Sequence, residues 1–124
     1  MESDMTLEEV DTVRMVSAGV VDRIDDRLND LIPADASIEK LADGFQFIEG
    51  PVWIRDESRL LFSDIRTNTI YQWTESEGTS VFMRPVFEGD ETGLGSLSSN
   101  GLTLDTEGRL VMCEHGNRQV ARIE

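Results

Sequence analysis

The chain has 124 residues, 39% of them hydrophobic, with 25 acidic side chains against 11 basic ones and a net charge of −14. That length suits one domain, and no apolar run approaches the roughly 18 residues that a membrane-spanning helix needs. Phosphate binding requires Lys and Arg clusters, so a field of this sign speaks against nucleic acid and anionic membranes as partners, while it draws divalent cations diffusely.

Lys40 is the single lysine and the other ten basic residues are arginine. Acid enrichment with so little lysine suits the solvated surface of a salt-adapted protein; base-composition bias with an acidic tail is the other reading. The N-terminus, Met1-Glu2-Ser3-Asp4, lacks the basic and apolar regions of a signal peptide, and a cytoplasmic product is expected. Cys113 is the only cysteine, so no internal disulfide forms and a structural zinc site is nearly excluded. Its place in the run Leu110-Val111-Met112-Cys113 predicts a small buried hydrophobe rather than a reactive thiol.

Thr6-Leu7-Glu8-Glu9 has capping-box spacing, with Thr6 as N-cap and Glu9 reaching back. Leu7, Val10, Val13 and Val16 follow at intervals that keep to one helical stripe, and Gly19 is a plausible stop. Residues 20–24 suit a short strand or a further turn. Residues 25–32 read as a short helix, with Leu28, Leu31 and Ile32 inward and Pro33 ending it. Asp22, Asp25, Asp26 and Asp30 suggest a calcium loop, but the required glycine and terminal glutamate are missing, so a solvated acidic face is expected. Residues 1–36 thus form an N-terminal helical or extended segment.

From Ser37 the pattern changes to strands, at 38–41, 51–55, 60–64, 69–74 and 80–83, separated by turn-rich stretches. Tight turns between strands predict one antiparallel blade over about 37–83. Residues 84–99 form a longer loop of the kind that is functional or mobile. Gly93 and Gly95 hint at a phosphate loop there, but a strand follows where a helix is required. Strands at 101–104, 110–113 and 119–123 then build a partial second blade over 100–124.

The two strand groups are one repeat. Gly50 aligns with Gly101, Trp53 with Leu104, Arg59 with Arg109, Asp64 with Glu114, Ile70 with Val120 and Trp73 with Ile123. A repeat of short strands at this spacing marks a β-propeller, whose period is roughly 40–50 residues. Since at least about three repeats are normally needed for a stable array, the ending at Glu124 predicts the N-terminal part of a longer, truncated propeller. Its uncovered blade edges predict self-association.

Leu41-Ala42-Asp43-Gly44-Phe45, Glu49-Gly50-Pro51-Val52-Trp53 and Leu61-Phe62-Ser63-Asp64-Ile65 resemble the gluconolactonase and senescence-marker-protein (regucalcin) family. Ser99-Asn100-Gly101-Leu102-Thr103-Leu104 and the stretch from Cys113 to Val120 do so as well. The resemblance runs from about Val21 to Glu124. It implies an all-β, six-bladed propeller, of which about two blades are present here. It also implies one divalent cation at the top of the central channel, most often calcium, with zinc, magnesium or manganese as alternatives, and hydrolysis of a small-molecule sugar lactone. By the same resemblance Glu49 is a metal ligand and Asn100 contacts cation or substrate. Further ligands and the general base are expected in later blades that these residues do not include. Glutamate and amide oxygens suit a hard cation such as calcium.

Each of these residues also has a plainer reading. Glu49 is one acid among 25, and Asn100-Gly101 is by itself a hairpin-turn dipeptide. His115, the sole histidine, suits a turn or a substrate rim better than a catalytic base, since no G-x-S-x-G nucleophile elbow accompanies it. Asp64 and Glu114 recur at equivalent strand ends and read as turn caps or partners of Arg66 and Arg118. The competing functions are a non-catalytic propeller segment or interaction module, and a propeller hydrolase of aryl esters or phosphoesters.

Overall fold

The computed structural model describes residues 17–89 and 98–124. The chain divides into two compact units, Met1–Leu41 and Ala42–Glu124. In the first, β1 (Ser17–Gly19) pairs antiparallel with β2 (Ile38–Glu39). Residues 17–19, expected at the end of a helix, are therefore strand, because the pairing partner that a sequence window cannot see supplies their backbone hydrogen bonds. The rest of that expected helix, 6–16, lies outside the described residues. The helix expected over 25–32 is a single 3₁₀ segment, Asp26–Asp30. Asp25 caps it, accepting from the Arg27 backbone N–H at 2.9 Å and holding the Arg27 guanidinium. Leu31 is exposed and Leu28 and Ile32 are only half-buried, so the segment has little apolar packing to extend it into an α-helix.

The second unit is built from antiparallel strands. One sheet has the order β3 (Ile48–Ile54), β4 (Arg59–Asp64), β5 (Thr69–Thr74), β6 (Gly78–Met83); the other has β7 (Ser99–Leu104), β8 (Leu110–Glu114), β9 (Gln119–Arg122). Each strand pairs with the next in sequence, as a blade requires. Asn100-Gly101 lies inside β7 rather than in a hairpin turn.

The repeat legible in the sequence recurs bond by bond. Ile48 pairs with Asp64 and Ser99 with Glu114; Val52 pairs with Leu61 and Thr103 with Val111. Both first strands shift register in the same stretch, one residue apart in the repeat, between Glu49 and Val52 and between Ser99 and Leu102. The Ile65 N–H donates to Phe47 O at 3.0 Å, and the His115 N–H donates to Ser98 O at 3.0 Å. The turns that follow end on left-handed residues at matching positions, Asn68 (φ 52°) and Arg118 (φ 55°). Asn adopts that conformation readily through its short polar side chain; Arg118 has no such ease and is held there by the flanking strands.

Alternation along the strands decides which residues meet between the sheets. Leu61, Ile70, Leu110, Met112 and Ile54 form one buried cluster drawn from both sheets. Burying each such side chain contributes about 1.5–3 kcal/mol. On the opposite face of the first sheet Phe62 and Tyr71 sit with Phe45, ring centroids 5.0 and 5.1 Å from the Phe45 ring. Cys113, expected inside, is exposed. It sits one residue out of phase with Met112, so its strand turns it to the face away from the shared cluster.

Candidate functional site

Glu49 and Asn100 are both half-buried, each near the start of the first strand of its sheet. The Asn100 Nδ2 donates to Glu49 Oε1 at 2.8 Å across 51 positions of sequence. A carboxylate offers only acceptors, so the amide must present its NH₂ group to it, leaving Asn100 Oδ1 and Glu49 Oε2 as the acceptors of the pair outside this bond. The two residues expected to share a site are therefore in direct contact.

Their backbones are held together beneath that contact. Gly50 adopts φ +60°, and a Cβ built on it would lie 2.2 Å from the Asn100 carbonyl oxygen. Only glycine allows β3 and β7 this approach. The buried Ser63 hydroxyl lies 2.8 Å from Asn100 O and 2.8 Å from Ser99 Oγ. A carbonyl oxygen only accepts, so Ser63 spends its one proton on Asn100 O and the Ser99 hydroxyl donates to Ser63. Neither serine was singled out in the sequence. The signal available was positional, since Ser63 adjoins the recurrent acid Asp64 and Ser99 precedes Asn100.

Asp64 is fully buried and accepts from the Gln46 N–H at 3.1 Å and the Phe47 N–H at 3.0 Å. Two hydrogen bonds to a carboxylate thus fix the approach to β3 just before Glu49. Glu114, also buried, accepts from the side-chain amides of Asn117 and Gln119. Both acids cap chain segments, and amides rather than Arg66 or Arg118 fill these contacts.

His115 leaves β8 half-buried, and its backbone N–H is tied to Ser98, two residues before Asn100. Among the described residues its imidazole makes no hydrogen bond to Glu49 or Asn100. No group of three or more His, Cys, Asp or Glu side chains able to hold a metal occurs among the described residues. Nor is any described helix long and apolar enough to cross a membrane.

Successive antiparallel sheets, stacked through one apolar layer and joined at equivalent strands, define an all-β, propeller-like class of protein. Within it the chain belongs to the SMP-30/gluconolactonase/LRE-like family, whose model matches residues 47–124. The chain is 28% identical over 109 residues to the gluconolactonase of Zymomonas mobilis, covering 86% of this chain and 31% of the relative. A structural-genomics structure provisionally named a gluconolactonase superposes with a TM-score of 0.64 at 33% identity, covering 88% of this chain and 32% of that one. A gluconolactonase structure from Xanthomonas campestris gives 0.61 at 28% identity, over 73% and 27%. The chain thus spans about a third of the length of these relatives.

Proposed function

We propose that the chain contributes the first two blades of a six-bladed, divalent-cation-dependent hydrolase that opens sugar lactones to aldonic acids, as in the gluconolactonases it resembles. The observation that supports this most is the 2.8 Å hydrogen bond between Asn100 and Glu49. It joins the two residues whose types and repeat positions suit the edge of a cation site.

The donor chemistry fits. Calcium takes six to eight oxygen ligands; Glu49 has Oε2 free of the Asn100 contact, and Asn100 has an amide oxygen to spare. Two residues supply part of such a shell, and the remaining oxygens would come from outside these 124 residues. Glu49 would bind the ion directly. Asn100, by donating to Oε1, fixes the plane of the carboxylate as an outer-shell partner does, and its Oδ1 faces cation or substrate. His115 would stand at the substrate rim and contact sugar hydroxyls. A bound divalent ion would polarise the lactone carbonyl and stabilise the oxyanion formed on attack by water. The general base is expected among carboxylates of later blades.

Calcium titration by calorimetry tests the site on this chain. Glu49→Gln is expected to weaken binding by about tenfold or more and Asn100→Ala by about tenfold; unchanged affinity in Glu49→Gln would remove Glu49 as a ligand. Gluconolactone hydrolysis measured against its spontaneous rate tests the substrate, and aryl-ester or phosphoester turnover in its place would favour the other propeller hydrolases. Cation binding with no hydrolysis of any of these, in a protein that also carries the later blades, would favour a non-catalytic module.

A further inference from the structure

Past β6 the chain leaves the first sheet for the second, and two contacts fix its first steps. Val86 packs against the shared apolar cluster. The side chain of Asn68, on the turn between β4 and β5, then takes hold of the backbone. Its Oδ1 accepts from the Val86 N–H at 3.2 Å and the Phe87 N–H at 3.1 Å, and its Nδ2 donates to Phe87 O at 2.8 Å. One side chain thus satisfies both backbone groups of Phe87, and a residue outside any strand has a fixed place.

From there the Phe87 ring reaches the second sheet. A Cβ built on Gly116 would lie 2.1 Å from the ring Cδ2 and 2.3 Å from its Cγ, so the ring rests where a side chain would stand. Gly116 does not have a positive φ, and the equivalent position of the first sheet's turn holds the exposed Arg66. The turn itself therefore does not call for glycine at 116; the ring does. Gly116 follows His115, whose N–H donates to Ser98 O at 3.0 Å, and the Arg118 N–H closes the turn on His115 O at 3.3 Å. The turn that carries His115 is held through Ser98 to its own sheet and through Phe87 to the first.

We propose that Phe87, fastened by Asn68, is a positioning residue that sets the place of His115 relative to Asn100 and so shapes the rim that meets the sugar. This rests on the reading of His115 as a rim contact to sugar hydroxyls. The first sheet then supplies both the Glu49 carboxylate and the brace for the rim residue of the second. Holding a contact in its bound place raises affinity by cutting the cost of ordering it on binding. Every atom of the brace lies within the two sheets described, so it does not depend on later blades.

Two readouts on the calcium-loaded 124-residue chain test this. The first is amide hydrogen exchange at His115. The Ile65 N–H, bonded to Phe47 O at the same 3.0 Å in the first sheet, is the internal control. Phe87→Leu removes the flat ring, and Asn68→Gly removes the three bonds while tolerating the left-handed backbone. Both are expected to speed exchange at His115 about tenfold or more and leave Ile65 unchanged. Gly116→Ala, which pushes the ring away from the other side, should act alike, and Phe87→Tyr should keep the wild-type behaviour. Unchanged exchange at His115, or equal acceleration at Ile65, overturns the proposal.

The second readout separates positioning from stability alone. His115 is the sole histidine, so its imidazole gives one unambiguous NMR signal, and gluconate, the stable product of lactone opening, is the probe. Gluconate is expected to shift that signal in wild type and in Phe87→Tyr, and to bind Phe87→Leu about threefold or more weakly. Equal affinity in wild type and Phe87→Leu overturns the positioning role and leaves the rim reading standing. A wild-type signal that gluconate does not move removes the rim reading and the proposal with it.

Discussion

Gly50 and Asn100 touch backbone to backbone: a Cβ on Gly50 would stand 2.2 Å from the Asn100 carbonyl oxygen and 3.1 Å from the Gly101 Cα. The atoms it would meet belong to main chain, not to a side chain that could swing aside. Gly50→Ala therefore combines a left-handed φ, costing roughly 1–2 kcal/mol, with overpacking of roughly 1–3 kcal/mol. A loss of about 3 kcal/mol in denaturant unfolding is expected. Gly108, with φ +81° and open space around it, is the control, where Ala should cost only about 1–2 kcal/mol.

Ser63 ties the two sheets by hydrogen bonds at a fully buried site. Ser63→Ala leaves the Asn100 carbonyl without this donor and the Ser99 hydroxyl without this acceptor, so a loss of about 1–3 kcal/mol is expected. Double-mutant cycles with Ser99→Ala should show coupling of about 0.5 kcal/mol or more. Strict additivity would mean that the two hydroxyls act independently.

Asp64 accepts two backbone N–H groups in a fully buried position. Asp64→Ala should cost about 2–4 kcal/mol, because two amides lose a charged acceptor. Asp64→Asn keeps one acceptor oxygen and should lose less. Urea titration ranks the three proteins, and equal stability of wild type and Asp64→Ala would show that the strand approach is held by other contacts.

Asp105 gives the second sheet an acid-sensitive corner. Its carboxyl is held below the usual value of 3.8, chiefly by the Arg109 backbone N–H, with the Arg109 guanidinium and the Glu107 N–H adding to this and partial desolvation opposing it. A lowered carboxyl favours the folded state when ionised. Its contribution is full above pH 3.8, falls as the pH drops below that value, and is gone once the lowered native pKa has been passed. Asp105→Asn should flatten the acid limb of the unfolding midpoint plotted against pH. An unchanged acid limb would show that Asp105 adds nothing to it.

Much of the architecture could be read from residue order because a repeat carries its own register. Once Gly50 was aligned with Gly101 and Asp64 with Glu114, strand pairing within each unit followed, and β5 has the expected bounds of 69–74. The capping roles of Asp64 and Glu114 were legible for the same reason, since an acid recurring at the end of two equivalent strands has a local job. Residues 17–19 and 25–32 were misread because short segments take their conformation from partners and packing, which a local window does not contain. Cys113 was misread because an apolar run does not say which of its two faces is covered.

Order along the chain, then, determined the family, the repeat and the two candidate cation-site residues, since each is written in local spacing or in the match between distant but similar stretches. Only the folded arrangement decided that Asn100 grips Glu49 and that Ser63 and Gly50 hold the two strands in place beneath them. Those facts depend on which atoms meet across some fifty residues of chain, and contact of that kind is set by packing between elements rather than by the preferences of any one of them.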